Sequence, residues 1–337
     1  MQKPISEIQI AVSNLDRHLF EQFRDSTVVL VGMTGFIGQW LYSFLEHANS
    51  KYGLQIEFLI TSRHVANAQK LLNVDNSSVK FLEIDFSKTN DPQSETLVSK
   101  HKKKFVFLGA STASYRTSMR RSDYKELTNL NASKYFHKII DFSDPNTTVI
   151  NLSSGGVYDR RDSFKISESS KLVSPEQETD LYIIDKIETE IYLNRVCFNL
   201  NNLRLFSVYG PLFPINGSYL ISQLVSAAVN GTGMVIHGNV ESLRSYIYPT
   251  DLVSAILHCV GESDNINIGG NQPLTIFEII KCVEDEFGTL KLTYNNYNAP
   301  VGHYFGDTAL LESLSVFRQK VSFQEGLSLW NFWLKKT

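Results

Sequence analysis

The chain has 337 residues, of which 32 are basic and 35 acidic, and its formal net charge is −3. This length is sufficient for one large α/β domain with a smaller lobe. The near balance of charges excludes a broad basic surface for nucleic acid or for an anionic membrane, and the run Lys102–Lys104 is more simply a solvated lead into a strand.

The cysteines and the apolar runs indicate the compartment. Cys197, Cys259 and Cys282 are odd in number and lack the spacing of metal ligands, so the sequence predicts neither disulfides nor a metal site. The first residues have the pattern of an amphipathic helix rather than of a secretory signal, and no run approaches the ~18 apolar residues of a membrane span. We therefore expect a cytoplasmic protein with no nucleic-acid or membrane partner.

The first predicted strand, 28–31, runs into three glycines and then into a helical pattern over 39–46. Gly32 can adopt a turn conformation that a Cβ disfavours, Gly35 lets backbone amides approach a pyrophosphate, and Gly38 lets the helix pack closely on the strand. The amino terminus of that helix then faces the phosphates. The residues predicted to bind the cofactor in this turn are Gly32, Thr34, Gly35, Phe36, Ile37 and Gly38.

The second predicted strand, 56–61, is followed by Ser62 and Arg63, where an NAD site normally offers an acidic residue to the adenosine ribose. A guanidinium at this position can pair with a 2′-phosphate, which favours NADP(H) over NAD(H). The alternative is that Arg63 stacks on adenine or faces solvent.

The fourth predicted strand, 105–108, runs into small residues that suit backbone passing under a dinucleotide, namely Gly109, Ala110 and Ser111. The fifth, 148–152, delivers Ser154 to the carboxyl end of the sheet, where ligands bind in open parallel sheets. Tyr182 and Lys186 follow on a predicted helix and share one face, since they are four residues apart.

A G-x-x-G-x-x-G turn followed later by Tyr-x-x-x-Lys resembles the short-chain dehydrogenase/reductase superfamily. The resemblance implies that Ser154, Tyr182 and Lys186 are catalytic, and that Tyr182 and Lys186 also contact the cofactor. It further implies that the helix of Asn129 feeds a water towards the lysine. Asp85, with Phe86 after it at the end of the third predicted strand, matches the position that reads the adenine amino group.

The later segments 202–211 and 244–252 narrow this resemblance to the extended branch, the NAD-dependent epimerase/dehydratase family that acts on nucleotide sugars; 267–270 and 306–308 match weaker signatures. The resemblance implies an α/β fold, a Rossmann-type doubly wound parallel sheet with a smaller C-terminal substrate-binding lobe. We expect residues 1–206, with a return segment at about 235–261, to form the cofactor domain, and 207–234 and 262–337 to form the lobe.

The same resemblance implies that Arg244 clamps the nucleotide diphosphate and that Ser154 and Ser207 also contact the substrate. Two departures leave the nucleotide open: family epimerases often carry Asn at Ser207, and often Arg near His303 and Tyr304.

The family divides over the chemistry that follows oxidation of the sugar. Gly155 and Gly156 stand where related dehydratases carry Asp-Glu, so elimination of water is disfavoured. This leaves epimerisation at hexose carbon 4 through a transient ketosugar, for which two glycines would provide room to rotate. The alternative is an NADPH-dependent nucleotide 4-ketosugar reductase, which Arg63 favours. A catalytically idle NADP-binding scaffold is disfavoured because Ser154, Tyr182 and Lys186 are all present.

The helices predicted around 124–142 and 181–197 carry apolar residues on more than one face. Such helices pair across a two-fold axis in related enzymes, so we expect a homodimer.

Overall fold

The computed structural model describes residues 4–74, 79–87, 101–110, 127–159, 165–176, 178, 180–262, 265–296, 298–314 and 317–336. Its helices are α1 Ile5–Ser13, α2 His18–Glu21, α3 Phe36–Tyr52, α4 Val65–Leu72, α5 Thr128–Ile139, α6 Leu181–Val196, α7 Leu220–Asn230, α8 Pro249–Cys259, α9 Ile276–Phe287, α10 Ala309–Leu314 and α11 Phe323–Leu334. Its strands are β1 Ser26–Val31, β2 Glu57–Ser62, β3 Val79–Glu83, β4 Lys103–Leu108, β5 Thr147–Ser154, β6 Asn199–Leu205, β7 Ser207–Val208, β8 Gly233–His237, β9 Leu243–Arg244, β10 Tyr246–Ile247, β11 Asn265–Ile268, β12 Leu274–Thr275 and β13 Lys291–Asn295.

A seven-stranded sheet, parallel throughout, forms the centre of the molecule in the order β11-β6-β5-β4-β1-β2-β3. All six residues of β1 are buried, as expected of a strand that is covered on both faces. The strand order reverses between β1 and β4, and a ligand crevice is expected at that point. The predicted Rossmann-type α/β fold is therefore confirmed.

Alternate residues of β1 supply the two apolar layers on either side of the sheet. Val28 and Leu30 pack with the core residues of α3 and α8, whereas Val29 and Val31 pack with those of α5 and α6. This two-sided packing fixes the register of the sheet, because a shift of one residue would exchange the faces. No helix in the described ranges has both the length and the apolar character needed to cross a membrane.

The smaller lobe is built from α7, α9, α11 and the short two-stranded sheets, around a separate apolar cluster that includes Tyr209, Tyr248 and Trp330. Its boundaries differ from those expected from the sequence. Strand β11 belongs to the central sheet, and Leu311 of α10 is in the core beside it, although residues 262–337 were expected in the lobe. Conversely, β8 pairs with β13 inside the lobe. The chain thus crosses between the two units more often than a simple division allows.

Candidate active site

The three glycines of the turn after β1 differ in what surrounds them. Gly32 has φ +67°, and a Cβ there would lie 2.3 Å from the Cα of Ala110; a Cβ on Gly38 would lie 1.8 Å from the carbonyl oxygen of Met33. Protein backbone therefore requires both of these glycines. Among the residues that the structure describes, none comes within 4 Å of the place that a Cβ on Gly35 would take, although Gly35 is the residue that precedes α3. The open space beside Gly35, at a helix amino terminus, fits the phosphates of a dinucleotide.

The other residues predicted for this turn contact the lobe, the core beside the sheet and the helix that follows. Phe36 opens α3, and its ring packs edge-on against Phe213 of the lobe at 5.0 Å between centres. Ile37 follows it and packs partly buried against the core of the sheet. The carbonyl oxygen of Thr34 accepts a hydrogen bond from Gln39 Nε2 at 3.2 Å. The turn is thus fixed from both the sheet and the lobe.

The neighbouring ends of β2 and β3 carry side chains of opposite charge, Arg63 and Glu83. Arg63 is exposed, and the Ser62 hydroxyl exchanges two hydrogen bonds of 3.1 Å with the backbone of His64. Glu83, at the end of the neighbouring strand β3, accepts a hydrogen bond from the amide of Val65 at 3.3 Å. Glu83 was not predicted from the sequence, because its place beside Ser62 depends on the pairing of β2 with β3.

The remaining residues predicted for the cofactor site lie beyond β3 and β4. Asp85 accepts hydrogen bonds from the amide and the hydroxyl of Ser87, and Phe86 is buried with its ring 5.7 Å from that of Tyr135. Gly109 and Ala110 follow β4, and Ala110 lies against Gly32. Ser111 lies outside the described residues.

The start of α6 carries Tyr182 and Lys186. Asp180 caps this helix, because its carboxylate accepts a hydrogen bond from the Tyr182 amide at 2.9 Å. Lys186 is buried one turn later, where its Nζ donates to the carbonyl oxygen of Leu152 at 2.6 Å and lies 5.8 Å from the centre of the Tyr182 ring. Leu152 belongs to β5, so this contact ties the lysine to the strand that ends in Ser154.

Ser154 is the last residue of β5 and is buried. Its Oγ accepts a hydrogen bond from the Gly156 amide at 3.0 Å, and the 3₁₀ turn Gly155–Val157 follows it. A Cβ on Gly156 would lie 3.4 Å from Ile183, next to Tyr182, so this turn packs on the first turn of α6. The start of α6, which carries Tyr182 and Lys186, therefore packs against the end of β5, where Ser154 lies.

Burial and the neighbouring carboxylates shift the pKa of Lys186 in opposite directions. Burial lowers the pKa of its ammonium to about 8, and the nearby carboxylates of Asp185 and Glu190 offset part of that effect. An amine with this pKa is mostly protonated at pH 7, so Lys186 can act as a positive charge beside Tyr182.

Asn129 lies in the first turn of α5 and is fully buried. Its Nδ2 donates to Asn151 Oδ1 at 3.1 Å, and side-chain amide bonds continue from Asn151 to Asn202 and on to Asn265. The Oδ1 atom of Asn129 is buried and accepts no hydrogen bond from the described residues. Such an atom is a place where a bound water can satisfy a buried polar group.

A buried polar network, which the sequence did not predict, lies behind the turn Gly155–Val157. Glu190 accepts a hydrogen bond from the Ser153 hydroxyl at 2.5 Å and forms an ion pair of 2.7 Å with Arg204. Arg204 also donates to the hydroxyl of Tyr158 at 2.9 Å, and that hydroxyl donates to Asn267 Oδ1 at 2.8 Å. The network joins β5, α6, β6 and β11; its only local signal is the position of Glu190 four residues after Lys186.

The two glycines after Ser154 do not provide the room that was expected for a rotating ketosugar. A Cβ on Gly155 would lie 2.6 Å from the ring of Phe206, so that ring already occupies the space. A Cβ on Gly156 would lie 3.3 Å from Ser154 Oγ and 3.4 Å from Ile183. The expectation of free space for a rotating ketosugar at these positions was wrong, because the sequence alone does not show what packs against a glycine.

Phe206 also connects this turn with the predicted substrate residues. Its ring lies 5.2 Å from that of Tyr304, which forms a β-bridge with Arg244. Arg244 donates from Nη1 to the carbonyl oxygens of Leu243 at 2.7 Å and of Gly302 at 2.6 Å. Ser207, next to Phe206, pairs with the lobe through β10.

The sequence profile of the NAD dependent epimerase/dehydratase family matches residues 28–270. The chain belongs to this family. This match confirms the family resemblance inferred from the sequence motifs.

Two relatives are similar to part of this chain. The chain is 32% identical over 197 residues to a dTDP-4-dehydro-6-deoxyglucose reductase from Escherichia coli, covering 56% of this chain and 60% of the reductase. It is 23% identical over 209 residues to a probable UDP-glucuronate 4-epimerase from Rhizobium meliloti, covering 54% of this chain and 60% of that protein. The matched region thus spans about 60% of the length of each of these two relatives.

Among solved structures, the fold resembles a UDP-N-acetylglucosamine 4-epimerase from Methanobrevibacter ruminantium M1, in complex with UDP-N-acetylmuramic acid. The TM-score is 0.72 at 22% identity, and the match covers 93% of this chain and 99% of the epimerase.

Proposed function

We propose that this protein exchanges a hydride between a nicotinamide dinucleotide and carbon 4 of the hexose in a nucleotide-diphosphate sugar. The observation that supports this most directly is the position of Lys186, which lies beside the Tyr182 ring and is bonded to Leu152 on the strand that ends in Ser154. The open space at Gly35 suits the phosphates of the dinucleotide.

Each of these three residues has a distinct part in proton transfer. A free tyrosine has a pKa of about 10, and the ammonium of Lys186 favours its ionised form, so Tyr182 can take or give the proton of the sugar oxygen near neutral pH. Ser154 Oγ accepts from the Gly156 amide, which leaves its hydroxyl hydrogen to donate to the same sugar oxygen. The bound nicotinamide supplies or accepts the hydride.

Net reduction of a 4-ketosugar by NADPH is the direction that we favour. No acidic residue ends β2, Arg63 can meet a 2′-phosphate, and the E. coli relative carries the name of a 4-ketosugar reductase. Glu83 acts against this preference, because a carboxylate near the adenosine ribose repels a 2′-phosphate.

Epimerisation at carbon 4, the first expectation from the sequence, is the second candidate. It is favoured by the absence of an Asp-Glu pair at Gly155 and Gly156 and by the probable 4-epimerase among the relatives. An epimerase must return the hydride to the other face of the ketosugar, and the ring of Phe206 narrows the space beside Gly155.

Arg244 and Ser207 are the residues that we propose for the nucleotide diphosphate. The two backbone carbonyls that Arg244 contacts fix the orientation of its guanidinium, which suits a planar donor for phosphate oxygens. We further propose that the enzyme acts in the cytoplasm, as a homodimer paired through α5 and α6.

The assay supplies the purified protein with UDP-, dTDP-, CDP- and GDP-hexoses and with their 4-keto forms, each with NADPH or NAD. Stoichiometric consumption of NADPH with a 4-ketosugar supports the reductase. Interconversion of hexoses with a retained, unconsumed dinucleotide supports the epimerase. Loss of water from the sugar, or no conversion of any member of the panel, would contradict both.

A further inference from the structure

Asp185 connects α6 with the start of α5. Its Oδ2 accepts a hydrogen bond from the amide of Asn129 at 3.0 Å, and its Oδ1 accepts one from the amide of Leu130 at 3.0 Å. The residue before α5, Leu127, offers no side-chain cap. A carboxylate from the neighbouring helix thus satisfies two of the amides that a helix start leaves without intrahelical partners, and it complements the positive end of the helix dipole.

Asp185 also stands directly before Lys186, and no arginine of the described ranges forms an ion pair with it as Arg204 does with Glu190. Glu190 is the second carboxylate that supports the charged form of Lys186, but Arg204 holds it through bonds of 2.7 and 3.1 Å. The groups that face Asp185 are Lys186 and Thr189 on its own helix and the two backbone amides of α5. The field of Asp185 therefore acts on Lys186 with less compensation than that of Glu190.

Both groups titrate within an accessible range of pH. Burial raises the pKa of Asp185 to about 6, with Lys186 and the two amides acting in the opposite direction. Burial lowers the pKa of Lys186 to about 8. Between these values both side chains are charged, and below pH 6 the carboxylate becomes neutral.

We propose that Asp185 is a positioning residue for the catalytic site: it anchors the helix of Asn129 to the Tyr182–Lys186 helix and keeps Lys186 protonated. It touches neither substrate nor cofactor and acts through these residues. The inference rests on the proposed function only in assigning Lys186 a part in turnover.

The test is Asp185→Asn in the full-length protein, compared with the wild type across pH 5 to 9. The asparagine keeps the size and one acceptor but loses the charge, so the pKa of Lys186 falls. We expect equal activities below pH 5.5, where the wild-type carboxyl is itself neutral. The ratio of wild-type to variant activity then rises with pH, approaching about tenfold near pH 9 for a one-unit decrease. A ratio that is the same at every pH would overturn the proposal, because lost packing alone predicts that result.

Glu188→Gln is the matched control, since it removes a half-buried carboxylate from the same helix, two residues beyond Lys186. We expect it to leave the pH profile unchanged; a shift as large as that of Asp185→Asn would contradict a specific role. If Asp185→Asn does not fold, Asp185→Glu replaces it. That variant keeps the charge, so the position of its profile should match the wild type while turnover falls.

Two further measurements on Asp185→Asn are independent of turnover. Hydrogen exchange should become faster at the amides of Asn129 and Leu130, because one of them loses its acceptor. In urea unfolding, the wild type should gain stability as pH rises above about 8, since the pKa of Lys186 is lower in the folded protein than its ordinary value of 10.5. In the variant this gain should begin at lower pH. If Tyr182→Phe keeps full turnover, the proposed function fails, and these two measurements still decide the role of Asp185.

Discussion

At the scale of single residues, the proposed site depends on Lys186, whose pKa lies only about one unit above neutral pH. Lys186 is buried against β5, and its pKa of about 8 results mainly from burial, with two carboxylates acting against it. Its position beside Tyr182 was predictable from the four-residue spacing. The roles of the two carboxylates were not predictable. Asp185 bonds to the amide of Asn129, which is distant in sequence, and Glu190 pairs with Arg204, which lies on β6.

Cofactor choice is also decided by individual side chains. Arg63→Asp should weaken NADPH binding by about 1.5 to 3 kcal/mol, the range for a charge-assisted hydrogen bond, and leave NADH binding intact or improved. Glu83→Gln should act in the opposite direction and tighten NADPH binding several-fold, because it removes a repelling charge. Fluorescence titration with each cofactor measures both variants. Equal effects of Arg63→Asp on the two cofactors would show that Arg63 does not meet a 2′-phosphate.

At the scale of elements, the unit β1–turn–α3 was predictable because its signals are local: an apolar strand, three spaced glycines and a helical pattern. The room expected beside Gly155, in contrast, was not found. Phe206, which packs against Gly155, comes after α6 in the sequence. Only the fold shows that its ring fills the space beside Gly155. The sequence therefore identified the glycines of both turns. The structure was needed to show which of them pack against other parts of the protein.

Gly35→Ala and Gly38→Ala form a matched pair that tests this distinction. Gly35→Ala should change the free energy of unfolding by less than about 1 kcal/mol, since its Cβ meets no described residue within 4 Å, while weakening dinucleotide binding at least tenfold. Gly38→Ala should destabilise the fold by about 1–3 kcal/mol or more, because its Cβ would lie 1.8 Å from a backbone oxygen. Urea unfolding and cofactor titration measure the two effects. Unchanged cofactor binding in Gly35→Ala would show that the phosphates do not bind at this turn.

At the scale of the whole molecule, the parallel sheet followed from the order of motifs, whereas the division into domain and lobe did not. Strand β11 and helix α10 return to the sheet after the chain has entered the lobe, and short polar strands such as β9 carry too little periodicity to mark these crossings. Phe206 lies where the two units meet, between Gly155 and Tyr304.

The proposed homodimer belongs to the same scale. Most of the first ten residues of α6 are buried within one chain, while Ile191 and Phe198 near its end are 38% and 66% exposed. We expect sedimentation as a dimer at micromolar concentration, and Phe198→Asp should shift the equilibrium towards monomer. A wild-type protein that sediments as a monomer at that concentration would contradict the pairing.

The proposed role of Tyr182 in proton transfer is tested by the turnover of Tyr182→Phe, measured beside its cofactor binding. The substitution removes only the hydroxyl that exchanges the proton and keeps the ring, so turnover of the native sugar should be abolished while the affinity for the dinucleotide changes little. Lys186→Met should impair both, since its ammonium supports the ionised tyrosine and is expected to reach the nicotinamide ribose. Wild-type turnover in Tyr182→Phe would mean that the proton moves through another group, and the mechanism proposed for this site would be wrong.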